Sequence, residues 1–297
     1  MKNRFKKKGW GRFSERAYQT VITIIIVLIA LICVVPLIYV VSVSLVTDAE
    51  YYAKDGLLLF PTKPTLAAYK NILLNNTIIL HSLWINIART ICGTAISLIN
   101  TILLGYILSR TDLPGNKAIT IALLVAMLFS GGLIPTFLTI NAVGLYNTFA
   151  ILFIMSFVSV WNTLIFKQFF CGLPKELEES ARLDGAGEFR IMTRIIVPMS
   201  MPVVAAIGLF TAVGLWNDWF GALIYIQDND LMPLPLIMHN MFKSSTTSVD
   251  VVDPSMTVTA ITTKMAVTVV GSLPILLVYP FLQKYFVKGV YTGAVKG

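Results

Sequence analysis

The sequence predicts an all-α integral membrane protein with six transmembrane helices, and three observations carry that expectation. Mean hydropathy is +0.78, with 56% of the 297 residues hydrophobic and 13% charged, a composition outside the range of soluble globular domains. Uncharged runs as long as the roughly 20 residues that a helix needs to cross a bilayer recur along the chain. Lysine and arginine are also segregated between alternate loops, the charge asymmetry that orients membrane helices.

Taken in order, residues 1–19 form a basic tail suited to an anionic membrane surface. Thr20 to Val46 then runs 27 residues without a charge, a first span with Pro36 as a candidate kink. A cleaved leader would have an apolar core of only about 7–15 residues, so this helix is expected to be retained. Residues 47–83 read as an external loop, punctuated by Gly56, Pro61 and Pro64, and 84–285 as the core of the protein. Asn71 to Ala88 is apolar but interrupted by Asn75, Asn76, His81 and Asn86, which suits a helix lying along the membrane surface. Thr90 to Ser109 is a second span, bounded by Arg89 and Arg110. The 49 uncharged residues from Ala118 to Phe166 are too long for one helix and divide at Gly131-Gly132, Pro135, Asn141, Gly144 and Asn147, giving spans near 118–138 and 147–166. A fifth span is expected at 201–225, an external loop at 227–254, a sixth span near 258–281, and a short basic tail over 286–297.

With the N-terminus inside, 17 Lys/Arg fall on the inner side: seven before residue 17, two over 110–117, five from Lys167 to Arg194 and three after Gln283. The outer loops hold four, Lys54, Lys63, Lys70 and Lys243. Both termini and the 172–198 loop are therefore expected in the cytoplasm. The net charge of +8 follows this pattern and does not call for nucleic acid.

The stretch Gly172 to Pro202 holds five of the fifteen acidic residues and three of the eight arginines, so it belongs in water. Pro174 suits a first helical position, and Glu176, Glu178 and Glu179 fill a first turn where carboxylates meet the positive end of the dipole. Arg182 follows Glu178 by four residues and Glu179 by three, a supporting charge spacing. Asp184-Gly185 is a stop, because glycine accepts the left-handed conformation that ends a helix. A second helix is expected from Gly187-Glu188 to about Val197, limited by Pro198.

Glu179-Ser180-Ala181-Arg182-Leu183-Asp184-Gly185-Ala186, with Gly187 next and Ile196 and Pro198 downstream, resembles the EAA loop of binding-protein-dependent ABC importer permeases, with Ser180 in place of the first alanine. Tyr106 to Arg110 with Pro114-Gly115, Trp216-Asn217-Asp218, Gln283 to Gly289 and the ending Gly293 to Gly297 are similar to the carbohydrate branch, the maltose-transporter-like permeases. The resemblance implies a type I ABC importer permease fold. It implies that Glu179, Ser180, Ala181, Asp184, Gly185, Ala186 and Gly187 couple to an ATPase. It also implies the partners: a second related permease, a cytoplasmic ABC ATPase dimer, an extracytoplasmic solute-binding protein and a carbohydrate, in a bacterial plasma membrane.

The residues themselves exclude other chemistry. There is no G-x-x-x-x-G-K-[ST] phosphate loop, no H-E-x-x-H and no G-x-S-x-G. His81 and His239 stand alone, and Cys33, Cys92 and Cys171 have no paired spacing, so no cofactor or metal is expected and the chain is read as a transport subunit rather than an enzyme. Three charges lie at or near spans, where a charge disfavours insertion by about 2.5–3.5 kcal/mol and marks a functional candidate. Arg89 is placed to snorkel to the outer interface. Asp218 and Asn217 lie beside Trp216 and Trp219, polar groups among aromatic faces, as a sugar site or an aromatic belt would have. Lys264 either lines a water-filled path, pairs with a carboxylate such as Asp218, or snorkels. The rival readings are an ABC importer permease for a non-sugar solute and an ion-coupled secondary transporter, for which Asp218 would be the available relay.

Overall fold

All the regular elements among the described residues, 10–74, 77–246 and 261–294, are helical in the computed structural model. They fall into two units, 10–74 with 261–269, and 77–246 with 270–294. Residues 1–9, 75–76, 247–260 and 295–297 lie outside this description, and with them the first nine residues of the basic tail, Asn75-Asn76, the start of the sixth expected span and the end of the Gly293–Gly297 motif.

In the first unit, α1 (Trp10–Ser44) passes Pro36 without a break. Its apolar stretch Ala17–Ser44 holds an 18-residue window of mean hydropathy 3.4 with no buried residue, and burial begins only at the end of the helix, at Ser42, Val43 and Ser44. The following loop is fastened to the end of α1 by side-chain hydroxyls: Tyr39 donates to Gly56 O at 2.9 Å and Ser42 to Leu59 O at 2.6 Å. Two short helices, α2 (Asp48–Ala53) and α3 (Ala67–Leu74), complete this part. Ser44 and Tyr69 share a hydroxyl hydrogen bond of 2.7 Å.

The second unit is built on α4 (Thr77–Ser109). At about 1.5 Å per residue it is longer than a bilayer core is thick. The surface helix expected over 71–88 is therefore not separate: from Thr77 it is the first part of the spanning helix. The reason lies on one face, where Ser82, Asn86, Arg89, Gly93, Ser97, Thr101 and Gly105 recur at intervals of three or four and are all buried. These polar and small residues are turned inward, where helices in lipid find hydrogen bonds and close contact. Asn116 then receives the end of α4, its amide donating to Leu108 O at 3.0 Å and Arg110 O at 2.8 Å.

Beyond α5 (Asn116–Leu128) the chain turns by 114° into α6 (Leu133–Ala142), so the third expected span is broken at the Gly131-Gly132 signal. The segment expected to be one helix over 147–166 is two, α7 (Ile151–Ile154) and α8 (Val160–Cys171). Ser159 caps the second, its hydroxyl accepting from Asn162 N at 3.3 Å. Helix α8 packs along α4 at Gly105, where an added Cβ would lie 2.7 Å from Phe166 Cβ and 3.3 Å from Thr163 O.

The hairpin follows: α9 (Lys175–Leu183), a turn, then α10 (Glu188–Ile191), a π turn (Met192–Ile196) and α11 (Val197–Met199). Pro174 sits one residue before the helix rather than in it, and Pro198 lies inside the second arm, which ends at Ser200 with a bend of 81°. After that bend come α12 (Met201–Asn217), α13 (Phe220–Tyr225), a 3-10 turn (Asn229–Leu231), α14 (Leu234–Thr246) and α15 (Ile261–Ala294). Among the described residues three helices are long and apolar enough to cross a membrane, α1, α4 and the Ile261–Val278 part of α15, or up to five if each bent pair is one span.

Candidate functional site

Two places gather the residues singled out from the sequence. In the hairpin, α9 ends as expected. Gly185 has φ +79°, Ala186 N donates to Ala181 O at 2.9 Å and Gly185 N to Arg182 O at 3.0 Å, the paired bonds of a Schellman cap. Ala181 is buried, and with Tyr106, Phe166, Phe170, Ile191, Met192 and Ile196 it forms the apolar base that seats the hairpin on α4 and α8. Glu179, Ser180, Asp184 and Gly185 are exposed around the corner, with Ala186 half-buried and Gly187 exposed.

Arg110, just past α4, ties both arms down. It pairs with Glu178 on α9, reaches Glu188 Oε2 at 3.3 Å at the start of α10, and donates to the Tyr106 hydroxyl. Tyr106 donates in turn to Glu188 Oε2 at 2.7 Å, and Arg182 reaches Glu188 Oε1 at 2.8 Å. The expected partner of Arg182 is thus replaced. Glu178 is taken by Arg110, and Arg182 bridges the two arms instead of bracing one. Hydrogen bonding from Tyr106, with the charges of Arg110 and Arg182, holds the Glu188 carboxyl below its ordinary pKa. Beside this brace two apolar side chains stand in the open, Leu183 at 90% and Phe189 at 72% exposure.

The second place is the break between α12 and α13. A helix ending leaves its last carbonyls without partners, and here α4 supplies them. Arg89, with 0% exposure, donates through Nη2 to Leu215 O and to Asp218 O, the latter at 2.6 Å. Asn86 donates to Trp216 O at 3.3 Å. Arg89 Nη1 lies 3.8 Å from Asp218 Oδ2, and Asp218 Oδ1 accepts from Gly221 N at 2.9 Å, opening α13. Arg89 does not snorkel. A cation at the negative end of a helix, among unpaired carbonyls, is better placed inside than at the interface. The spacing of Asn86 and Arg89, three apart on a face of small and polar residues, was the available signal.

A cavity of about 580 Å³ opens beside the break, walled by α4, α7, α8, α12 and α13. Its polar lining comprises Asp218, Asn162, Thr211, Tyr225 and the serines Ser97, Ser156 and Ser159. Asn162 and Thr211 approach to 3.5 Å. Sequence reading missed all of these except Asp218. Trp216 and Asn217 do not line the cavity. The Trp216 indole donates to Gly271 O at 3.0 Å, and the Asn217 amide turns back to Val213 O at 3.0 Å. Lys264 belongs to the other unit, buried at 3% exposure. It has no carboxylate partner among that unit's described residues, and the ion-pair partner of Asp218 is Arg89.

The family model for "Binding-protein-dependent transport system inner membrane component" matches residues 102–291, a stretch that holds the hairpin and every lining residue of the cavity but Ser97. The chain belongs to this family. Protein LplC of Bacillus subtilis is 39% identical over 269 residues, covering 88% of this permease and 89% of that protein. The polygalacturonan/rhamnogalacturonan transport system permease protein YtcP of the same organism is 38% identical over 270 residues, covering 88% and 92%. A chain in the crystal structure of a bacterial ABC transporter involved in the import of the acidic polysaccharide alginate superposes with a TM-score of 0.82 at 24% identity, covering 96% of this permease and 100% of that chain. The fold of the permease is therefore that of an ABC importer permease.

Proposed function

We propose that the chain is one of two related permease subunits of a carbohydrate importer, driven by a cytoplasmic ABC ATPase dimer and loaded by an external solute-binding protein. The observation that carries the coupling role is the hairpin. It is seated on α4 and α8 through Ala181, braced across both arms by Arg110, and presents Leu183 and Phe189 to solvent. Exposed apolar groups on an otherwise charged segment mark an interaction surface, and a rigid seat is what a lever needs. Closure of the ATPases would push Glu179 to Gly187 and, through Arg110 and the apolar base, move α4 and α8 with it. The spans would then exchange inward- and outward-open arrangements, with no covalent chemistry in this chain. This orientation puts the hairpin and both termini in the cytoplasm, as the loop charges require.

For the cargo, the names of relatives such as the polygalacturonan/rhamnogalacturonan permease point to saccharides, and the cavity suits them. Hydroxyl and amide groups of Ser97, Ser156, Asn162 and Thr211 are set among the apolar side chains of Ile151, Leu152, Met155 and Phe220, the mixture that binds the two kinds of face of a sugar ring. Uptake of labelled saccharide by cells producing the whole transporter tests the reading. It should stop when ATP is depleted and survive collapse of the ion gradient; the reverse pattern would make the protein an ion-coupled carrier.

A further inference from the structure

The second arm of the hairpin, from α10 through α11, carries cations that the coupling role leaves unused. One side of it, Ile191, Met192 and Ile196, is buried in the apolar base. Off that side Arg190 and Arg194 stand four residues apart, both exposed, and neither takes part in the hairpin's ion pairs, which join Arg110 and Arg182 to Glu178 and Glu188. The one carboxylate of the arm is Glu188, already held by Tyr106, Arg110 and Arg182. The arm's free charges are all positive.

Direction matters as much as charge. The arm meets α12 at 81°, so with α12 crossing the bilayer it runs along the membrane surface rather than away from it. Its exposed side chains turn apolar, at Pro198, Met199 and Met201, where the chain bends into α12. Cations along a surface arm, with apolar groups at the point of entry, suit a layer of anionic headgroups over acyl chains. Each guanidinium offers a planar fork that takes two phosphate oxygens at once. We infer that Arg190 and Arg194 bind the phosphodiester headgroups of anionic phospholipids in the inner leaflet. The hairpin then bears on the ATPase with Leu183 and Phe189 and on the membrane with the two arginines. The inference rests on the proposed orientation, with the hairpin on the cytoplasmic side.

The test is fluorescence quenching in the whole transporter, purified and returned to phosphatidylcholine vesicles, with a fluorophore on Met199→Cys as its one reactive cysteine. Phosphatidylglycerol or phosphatidylcholine, spin-labelled near the top of an acyl chain, is added in increasing mole fraction. Each cation near an anionic surface favours it by about fivefold, so phosphatidylglycerol should half-quench at about one twenty-fifth of the fraction that phosphatidylcholine needs. Arg190→Gln should leave about a fivefold preference, Arg190→Gln with Arg194→Gln none, and Arg190→Lys with Arg194→Lys most of it. Raising salt from about 0.15 M to about 1 M shortens the Debye length from about 8 Å to about 3 Å and should compress the preference of the unsubstituted arm, which tests the assignment should the glutamine variants not accumulate. Equal half-quenching fractions for the two lipids, a preference that survives the glutamine pair, or one that ignores salt overturns it. If the arm shows no preference and the glutamine pair sheds the ATPase during purification, the arginines are a protein contact instead. Quenching by neither lipid also overturns it, and an impermeant thiol reagent then separates the causes. Labelling of Met199→Cys from outside the cell would remove the proposed orientation as well, whereas labelling only after the membrane is opened would remove the lipid contact alone.

Discussion

Arg110 is the residue on which the hairpin's rigidity turns. Its guanidinium serves Glu178, Glu188 and the Tyr106 hydroxyl at once and lies 4.5 Å from the Tyr106 ring centre. Arg110→Met should keep the side chain's bulk and lose the charge-assisted bonds, each worth about 1.5–3 kcal/mol. The expected outcome is ATP hydrolysis that no longer drives uptake, with the permease still inserted; hydrolysis and uptake are measured together on the purified complex, and wild-type coupling would exclude the brace. Glu188 adds a pH dependence. Because its pKa is held below the ordinary value, the carboxylate's contribution is fully present above about pH 4.3 and is lost as pH falls through the lowered value. Protease nicking of the hairpin in membrane vesicles should therefore rise on acidification below that point, and the rise should be smaller in Glu188→Gln. The sequence shows Arg110 as part of a family-like run, but not its partners, because Glu178 is 68 residues away and Glu188 is 78 residues away. Arg182 illustrates the same limit: two carboxylates at helical spacing were available, yet the tertiary contact to Glu188 is the one made.

At the scale of elements, close helix approach and one left-handed corner decide the architecture. Gly105 lets α4 lie against α8, and an added Cβ would meet Phe166 Cβ at 2.7 Å. Gly105→Leu should separate the pair at a cost of about 1–3 kcal/mol or more, seen as a loss of folded permease in membranes; normal accumulation would mean that α8 can move aside freely. Gly185 differs because no atom crowds it, and only its φ of +79° is at stake. A β-branched residue there is strained by about 1–2 kcal/mol, so Gly185→Val should insert normally and lose coupling. The corner was legible because Asp-Gly at a helix end has a local cause. The broken helices were less so. Gly131-Gly132 announced one break, whereas the break after Asn217 depends on Arg89 and Asn86 arriving from α4 to satisfy its carbonyls. The length of α4 departs from expectation for a related reason: Asn86, with Asn75, Asn76 and His81, suggests a surface helix in the sequence, but Asn86 belongs to a polar stripe that faces the interior.

For the whole molecule, the helical class was written in hydropathy, and the proposed orientation is written in the placement of Lys and Arg. In a background lacking Cys33, Cys92 and Cys171, an impermeant thiol reagent applied outside should label Asn229→Cys and leave Gly187→Cys unmodified; labelling at 187 would reverse the orientation. What composition could not show is the cavity, since Ser97, Asn162 and Thr211 come from three separate helices, Ser156 from the α7–α8 link and Asp218 from the break between α12 and α13, and none is distinctive alone. In the proposed function the braced hairpin docks the ATPase through its exposed apolar groups. Its most direct test is Leu183→Asp, a change at a 90% exposed position that leaves the fold's own contacts in place, read as the ATPase retained when the permease is purified from membranes by a tag. Most of the ATPase should be lost, and uptake with it. An ATPase retained at the wild-type ratio, with normal uptake, would contradict that docking.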